Sequence, residues 1–130
     1  MMAGYSKTPL LQKLGVKPGH RVALVNAPRG MKTLLGIATT DLEDEHDVIL
    51  VFATTKKSLS ADFARAKKRL HQAGGLWVAW PKKASGVKTD VTEDVVRAIA
   101  LDAGLVDNKV CAIDEIWSGL RCVVRVRDRK

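Results

Sequence analysis

At 130 residues the chain can bury roughly two-thirds of its unfolded surface in one core but is too short for two, so one domain over residues 1–130 is expected. With 46% apolar and 28% charged residues it is neither disordered nor of low complexity, and no apolar run reaches the roughly 20 residues of a membrane span. The formal charge of +8 favours anionic partners, and two cysteines with no signal-peptide layout at the start predict a cytoplasmic setting.

Thr8-Pro9 predicts a helix start, a hydroxyl cap followed by a proline whose missing N–H costs nothing in the first turn. Leu10, Leu11 and Leu14 form its apolar side and Gly15 its stop. Val16 to Gly19 reads as a turn into a strand, Arg21–Val25, whose unbroken apolar run is that of a central strand covered on both faces. Asn26-Ala27-Pro28-Arg29-Gly30 breaks it, and a short helix over Met31–Leu35 follows. A second buried strand is expected over Asp47–Ala53. Leu59, Phe63, Ala66, Leu70 and Ala73 share one helical face, so a helix is expected to run up to Gly74-Gly75, which would cap it. Leu76–Trp80 is a third strand, and Trp77 and Trp80, three apart, point to opposite faces of it.

A lysine-rich loop, Pro81 to Lys88, comes next, and Asp90 with Glu93 has the spacing of a capping pair. The helix it opens is expected to reach about Ala103, with Val95, Ala98 and Ile99 inward and Gly104 at its end. Lys109–Asp114 and Leu120–Arg127 read as a hairpin. A two-residue turn at Ser118-Gly119 would set Cys111 opposite Val126 and Cys122 opposite Glu115, so no disulfide is expected. The histidines and cysteines lack zinc-site spacing, and no metal site is expected either. Strands alternating with helices require crossovers and hence a parallel sheet. The expected fold is a small three-layer α/β sandwich of about five strands, mostly parallel, with a C-terminal antiparallel hairpin.

Leu14-Gly15-Val16-Lys17-Pro18-Gly19-His20-Arg21-Val22 resembles the approach to the first strand of the Rossmann-like methyltransferases that use S-adenosylmethionine. The later order of strand, helix, Gly74 to Val78, helix, Ala103-Gly104-Leu105 and hairpin is similar to theirs, in which the last strand inserts antiparallel beside parallel neighbours. Ala3-Gly4-Tyr5, Trp80 to Gly86, Val106 to Asp114 and Trp117 to Arg121 resemble a family of small bacterial proteins catalogued only as a domain of unknown function. The resemblance spans nearly the whole chain and implies a degenerate Rossmann-like fold without implying an activity. A methyltransferase cofactor needs close backbone approach at a glycine cluster and a carboxylate for its ribose. Asn26 to Gly30 keeps one glycine and brings in a proline, which has no N–H. Between Gly30 and Asp47 there is also too little chain for the intervening strands and helices of that family, so no cofactor is expected.

Ligands of open α/β sheets collect beyond the carboxyl ends of the strands. That lip should hold Asn26 and Arg29, then Thr54, Thr55, Lys56 and Lys57, then Trp80, Lys82, Lys83 and Lys88. Its cations suit an anionic small molecule or an acidic protein surface, although a solvated surface explains them as well. Arg121, Arg125 and Arg127 would share one strand face, with Cys122, Val124 and Val126 on the inner one. Such a face suits nucleic acid, but a charged edge strand explains it better. Asp114 and Glu115, beside Trp117, are the catalytic candidates, against the commoner role of turn carboxylates in bonding nearby N–H groups. The expected function is a non-catalytic binding or adaptor module, not an enzyme. A degenerate methyltransferase-like enzyme and a weak nucleic-acid-binding protein are the alternatives, and no membrane partner is expected.

Overall fold

Two sets of apolar side chains alternate along the same strands, and each needs a cover of its own. The computed structural model describes residues 7–130, with side chains from residue 10, and supplies both covers. Thr8 stands inside a helix already under way at Lys7 and not ahead of it as a cap, and the Ala3-Gly4-Tyr5 segment lies outside the described residues. Strands β1 (Val22–Val25), β2 (His46–Phe52), β3 (Leu70–Pro81), β4 (Leu105–Ala112) and β5 (Trp117–Val124) form one sheet in the order β1-β2-β3-β5-β4. β1, β2 and β3 are parallel, and β5 lies antiparallel between β3 and β4. Helices α1 (Lys7–Leu14) and α2 (Met31–Leu35) cover one face, where Leu14, Met31 and Leu35 meet Val48, Leu50, Phe52 and Trp77. Helices α3 (Lys56–Lys67) and α4 (Glu93–Asp102) cover the other, where Leu59, Phe63, Val96 and Ala100 meet Ile49, Val51, Leu76, Val78, Trp80 and Leu120. This is the expected three-layer Rossmann-like sandwich, with Trp77 and Trp80 on opposite faces. Among the described residues no helix is long and apolar enough to cross a membrane.

β1 is an edge strand and not a central one. Its apolar run is nonetheless covered, because the chain after α2 wraps its open side: Ile37 packs on the α1 face, Leu42 on the α3 face, and Thr40 N–H donates to the Val22 carbonyl. Edge and centre look alike in sequence when a loop shields the edge.

α3 stops at Lys67, and Leu70 opens β3 instead of closing the helix, pairing with His46. Gly74-Gly75 is therefore interior to a strand. A Cβ on Gly74 would strike the Asp47 carbonyl oxygen, and one on Gly75 would strike the Arg121 guanidinium, so the pair serves close approach and not a cap. The cap of α4 is Thr92, whose hydroxyl accepts from Val95 N–H at 3.3 Å, while the Asp90 carboxylate accepts from Lys56 N–H at 2.8 Å at the start of α3. This start turns the helix so that Val96 and Ala100 are buried, Val95 and Ile99 are half-buried, and Ala98 is exposed.

Ser118 and Gly119 lie within β5, and the hairpin turns over residues 113–116. Cys111 consequently faces Gly119 and Cys122 faces Asp107, and both thiols are free. The turn is set by Asp114, whose carboxylate accepts from Ile116 and Trp117 N–H. β5 ends at Val124, and Val126–Asp128 is a 3-10 turn. Arg125 and Arg127 therefore share no strand face with Arg121, and Val126, expected inside, is 77% exposed.

Candidate functional site

The carboxyl ends of β1, β2 and β3 rise to one edge of the sheet, and the 113–116 turn joins them because β5 runs the opposite way. After β1 the chain turns sharply, with Asn26 at φ 57° and Gly30 at φ 90°. Asn26 Nδ2 donates to Asp62 on α3 at 2.7 Å, which fixes the loop. Gly30 has nothing within 4 Å of where a Cβ would stand, so the backbone there is open to approach. Across from it Ile116 and Trp117 form a wall, with the Trp117 ring edge-on to Phe52 at 5.2 Å. Pro28, Arg29, Gly30, Leu34, Ile116 and Trp117 line a cleft of about 180 Å³, joined by Met31 and Asp114.

Lys82 holds the back of this wall. Its Nζ donates to the Asp114 carbonyl at 2.7 Å and its N–H to the Ile116 carbonyl at 2.7 Å, which ties its side chain to the turn, and it lines neither this cleft nor the larger one on the α4 side.

A larger cleft, about 570 Å³, opens on the α4 side. Trp80, nearly buried, and Pro81 lie against Lys83, Val87, Lys88 and Glu93 in its lining. The loop over it is pinned to the end of β2: Thr89 Oγ1 donates to the Thr54 carbonyl at 2.7 Å, and Asp90 takes the Lys56 N–H. Thr54 and Lys56 thus contribute backbone groups, with their side chains exposed.

The expected lip is therefore two clefts. Trp80, Lys83 and Lys88 come together in one, and Arg29 meets Asp114 in the other. Asn26 and Lys82 are bound into the scaffold, and Glu115 is exposed and lines neither of these two clefts. Both carboxylate contacts of Asp114 go to turn N–H groups, which is the structural role of such residues. Sequence reasoning did not single out Leu34 and Ile116, which are 38% and 42% exposed and line the smaller cleft. The available signal was an isoleucine in a turn that otherwise favours polar residues.

Solved structures align with this fold. The magnesium protoporphyrin IX methyltransferase ChlM from Synechocystis PCC 6803 with bound S-adenosylmethionine aligns at TM-score 0.60 and 13% identity over 91% of this chain and 76% of that one. The fold is that of the S-adenosylmethionine-dependent methyltransferases. A methyltransferase of this class from Aquifex aeolicus gives TM-score 0.60 at 14% identity, over 90% and 88% of the two chains. The Bacillus subtilis tRNA methyltransferase TrmK gives 0.56 at 10%, over 94% and 66%. Against ChlM with bound S-adenosylhomocysteine the chain spans about half, 49%, of that protein's length. No family model and no curated protein matches the chain.

At these identities the likeness is one of fold. It overturns the expected non-catalytic binding or adaptor module, since methyltransferases are among the solved proteins with this fold, and it favours the methyltransferase-like alternative.

Proposed function

We propose that the chain is a degenerate methyltransferase-like enzyme. The smaller cleft takes an adenosyl ligand of the S-adenosylmethionine class, and the larger one takes an acceptor bearing an anionic group. The observation that carries this reading is the open backbone at Gly30 facing the Trp117 wall at the carboxyl end of β1. Pro81 and Trp117, partners across β3 and β5, each line one of the two clefts, so ligands in them would approach each other over the sheet edge.

The residues fit the two ends of such a ligand and not its middle. Leu34, Ile116 and Trp117 offer an apolar slot for a planar ring, and Arg29 on the rim suits a carboxylate. Among the described residues no strand end beyond the outermost β1 offers the ribose an acid, and Asp114, the carboxylate in the cleft lining, is bonded to its own turn. Pro28 also withdraws one N–H from the loop. When bound, a sulfonium ligand of this class supplies an activated methyl group. The chain itself would orient the acceptor through Lys83 and Lys88 and exclude water with Trp80 and Val87. With Asp114 committed to its turn and Glu93 paired to Arg97 at 2.6 Å, the residues' contribution is positioning.

Calorimetry with S-adenosylmethionine and S-adenosylhomocysteine tests it. Without a ribose partner the expected Kd is weak, about 0.1–1 mM. Arg29→Ala and Trp117→Ala should each weaken binding, and labelled methyl groups should pass to an anionic fraction of a cell extract. No heat, and no amide shifts at Gly30 or Trp117 under millimolar ligand, would sink it.

A further inference from the structure

On the α1 side of the sheet, far down β5 from the lip, Lys109 and Arg121 are directly paired across β4 and β5. Like charges opposite each other in an antiparallel pair repel, so the arrangement needs something to offset it. No acid does so: among the described residues no carboxylate reaches ion-pair distance of Arg121, and Asp107, on the same strand as Lys109, bonds Arg97 of α4. A third basic residue comes from α1: Lys13, Lys109 and Arg121 line one cleft of about 230 Å³, and the Lys13 backbone carbonyl holds Lys109 Nζ at 2.9 Å. Its remaining lining is Gln12, Gly15 and Asn108, two amides and a glycine that stands against the Arg121 guanidinium, with no acid among them.

Arg121 is half-buried, and the missing side chain of Gly75 is what leaves room for its guanidinium against the sheet. Burial, then the neighbouring Arg129, pulls its pKa below the ordinary arginine value, as for a cation lacking its counter-ion.

We infer that this cleft binds the phosphate group of a small phosphate monoester. A guanidinium fork with two lysines at the cleft suits the three or more oxygens and double charge of a phosphate better than the two oxygens of a carboxylate. The cleft has room beyond the phosphate for a small organic portion, which Gln12 and Asn108 would meet with hydrogen bonds. The inference is independent of the methyl-transfer reading.

The test is an NMR titration of the full chain at fixed ionic strength, following amides and the arginine Nε–H, with inorganic phosphate, ribose 5-phosphate, ribose and a short single-stranded RNA. Saturable shifts at Gly15, Asn108, Lys109 and Arg121 with the first two probes and none with ribose are expected. Lys109→Gln should weaken them about ten-fold, the loss of one charge-assisted contact. Lys13→Gln, a change at an exposed side chain, gives the same reading if a strand variant fails to fold. Shifts that follow ionic strength alone would overturn the proposal, as would RNA binding centred on Arg125 to Lys130 with phosphate inert.

Discussion

Arg121 and Gly75 illustrate how one side chain can dictate the identity of a residue 46 positions away. A glycine inside a strand is a weakness unless something occupies the space, and here the guanidinium does. Gly75→Ala should cost about 1–3 kcal/mol in urea denaturation, and less in an Arg121→Ala background where the clash is gone. From sequence, Gly74-Gly75 suggested a helix cap because only the conformational freedom of glycine is visible there, not the chain that will approach it. Cys122 gives a second test. Burial, with Asp107 adding to it, pushes its thiol from 9.0 up to about 12. The unfolded chain loses that proton near pH 9 and the folded one does not, so the stabilisation is complete below pH 9 and drains away as pH rises through 12. Between those values wild type should lose up to about 1.4 kcal/mol per pH unit more than Cys122→Ala, measured by denaturation at stepped pH. Asp114 was legible in both its readings, and its two turn N–H bonds decide for the structural one.

At the scale of elements, periodicity located α3 and α4 but misplaced their ends. The apolar spacing through Leu59, Phe63 and Ala66 continues to Leu70, yet pairing with His46 draws Leu70 into β3. A residue apolar on both periods takes the element that buries it with the most backbone hydrogen bonds. The α4 cap shows the same limit over a shorter distance. Asp90 and Thr92 are both good caps by type, and the N–H of Lys56, from another helix, claims Asp90. Thr92→Ala should therefore lower stability by about 1 kcal/mol through loss of the α4 cap. Asp90→Ala should instead speed hydrogen exchange in residues 86–92 and at the start of α3, since it removes the tie between them.

For the whole molecule, β5 is the strand on which closure depends, because it sits between β3 and β4 and carries Leu120 and Cys122 into the core under α4. A chain cut after Gly104 should show no cooperative thermal transition by circular dichroism, having left Leu76, Val78 and Trp80 uncovered on one side. What the sequence alone determined was the set of strands and helices and the parallel-then-antiparallel plan. Those follow from local patterning of apolar residues and from the chirality of chain crossovers. Only the tertiary structure decided that β1 is an edge, that the hairpin turns at residues 113–116, and that the basic lip divides into two clefts with Lys82 tied to the turn. Only it brought Lys13, Lys109 and Arg121 together. These outcomes depend on which distant backbone groups and charges meet, and pairing across tens of residues leaves no periodic trace in the chain.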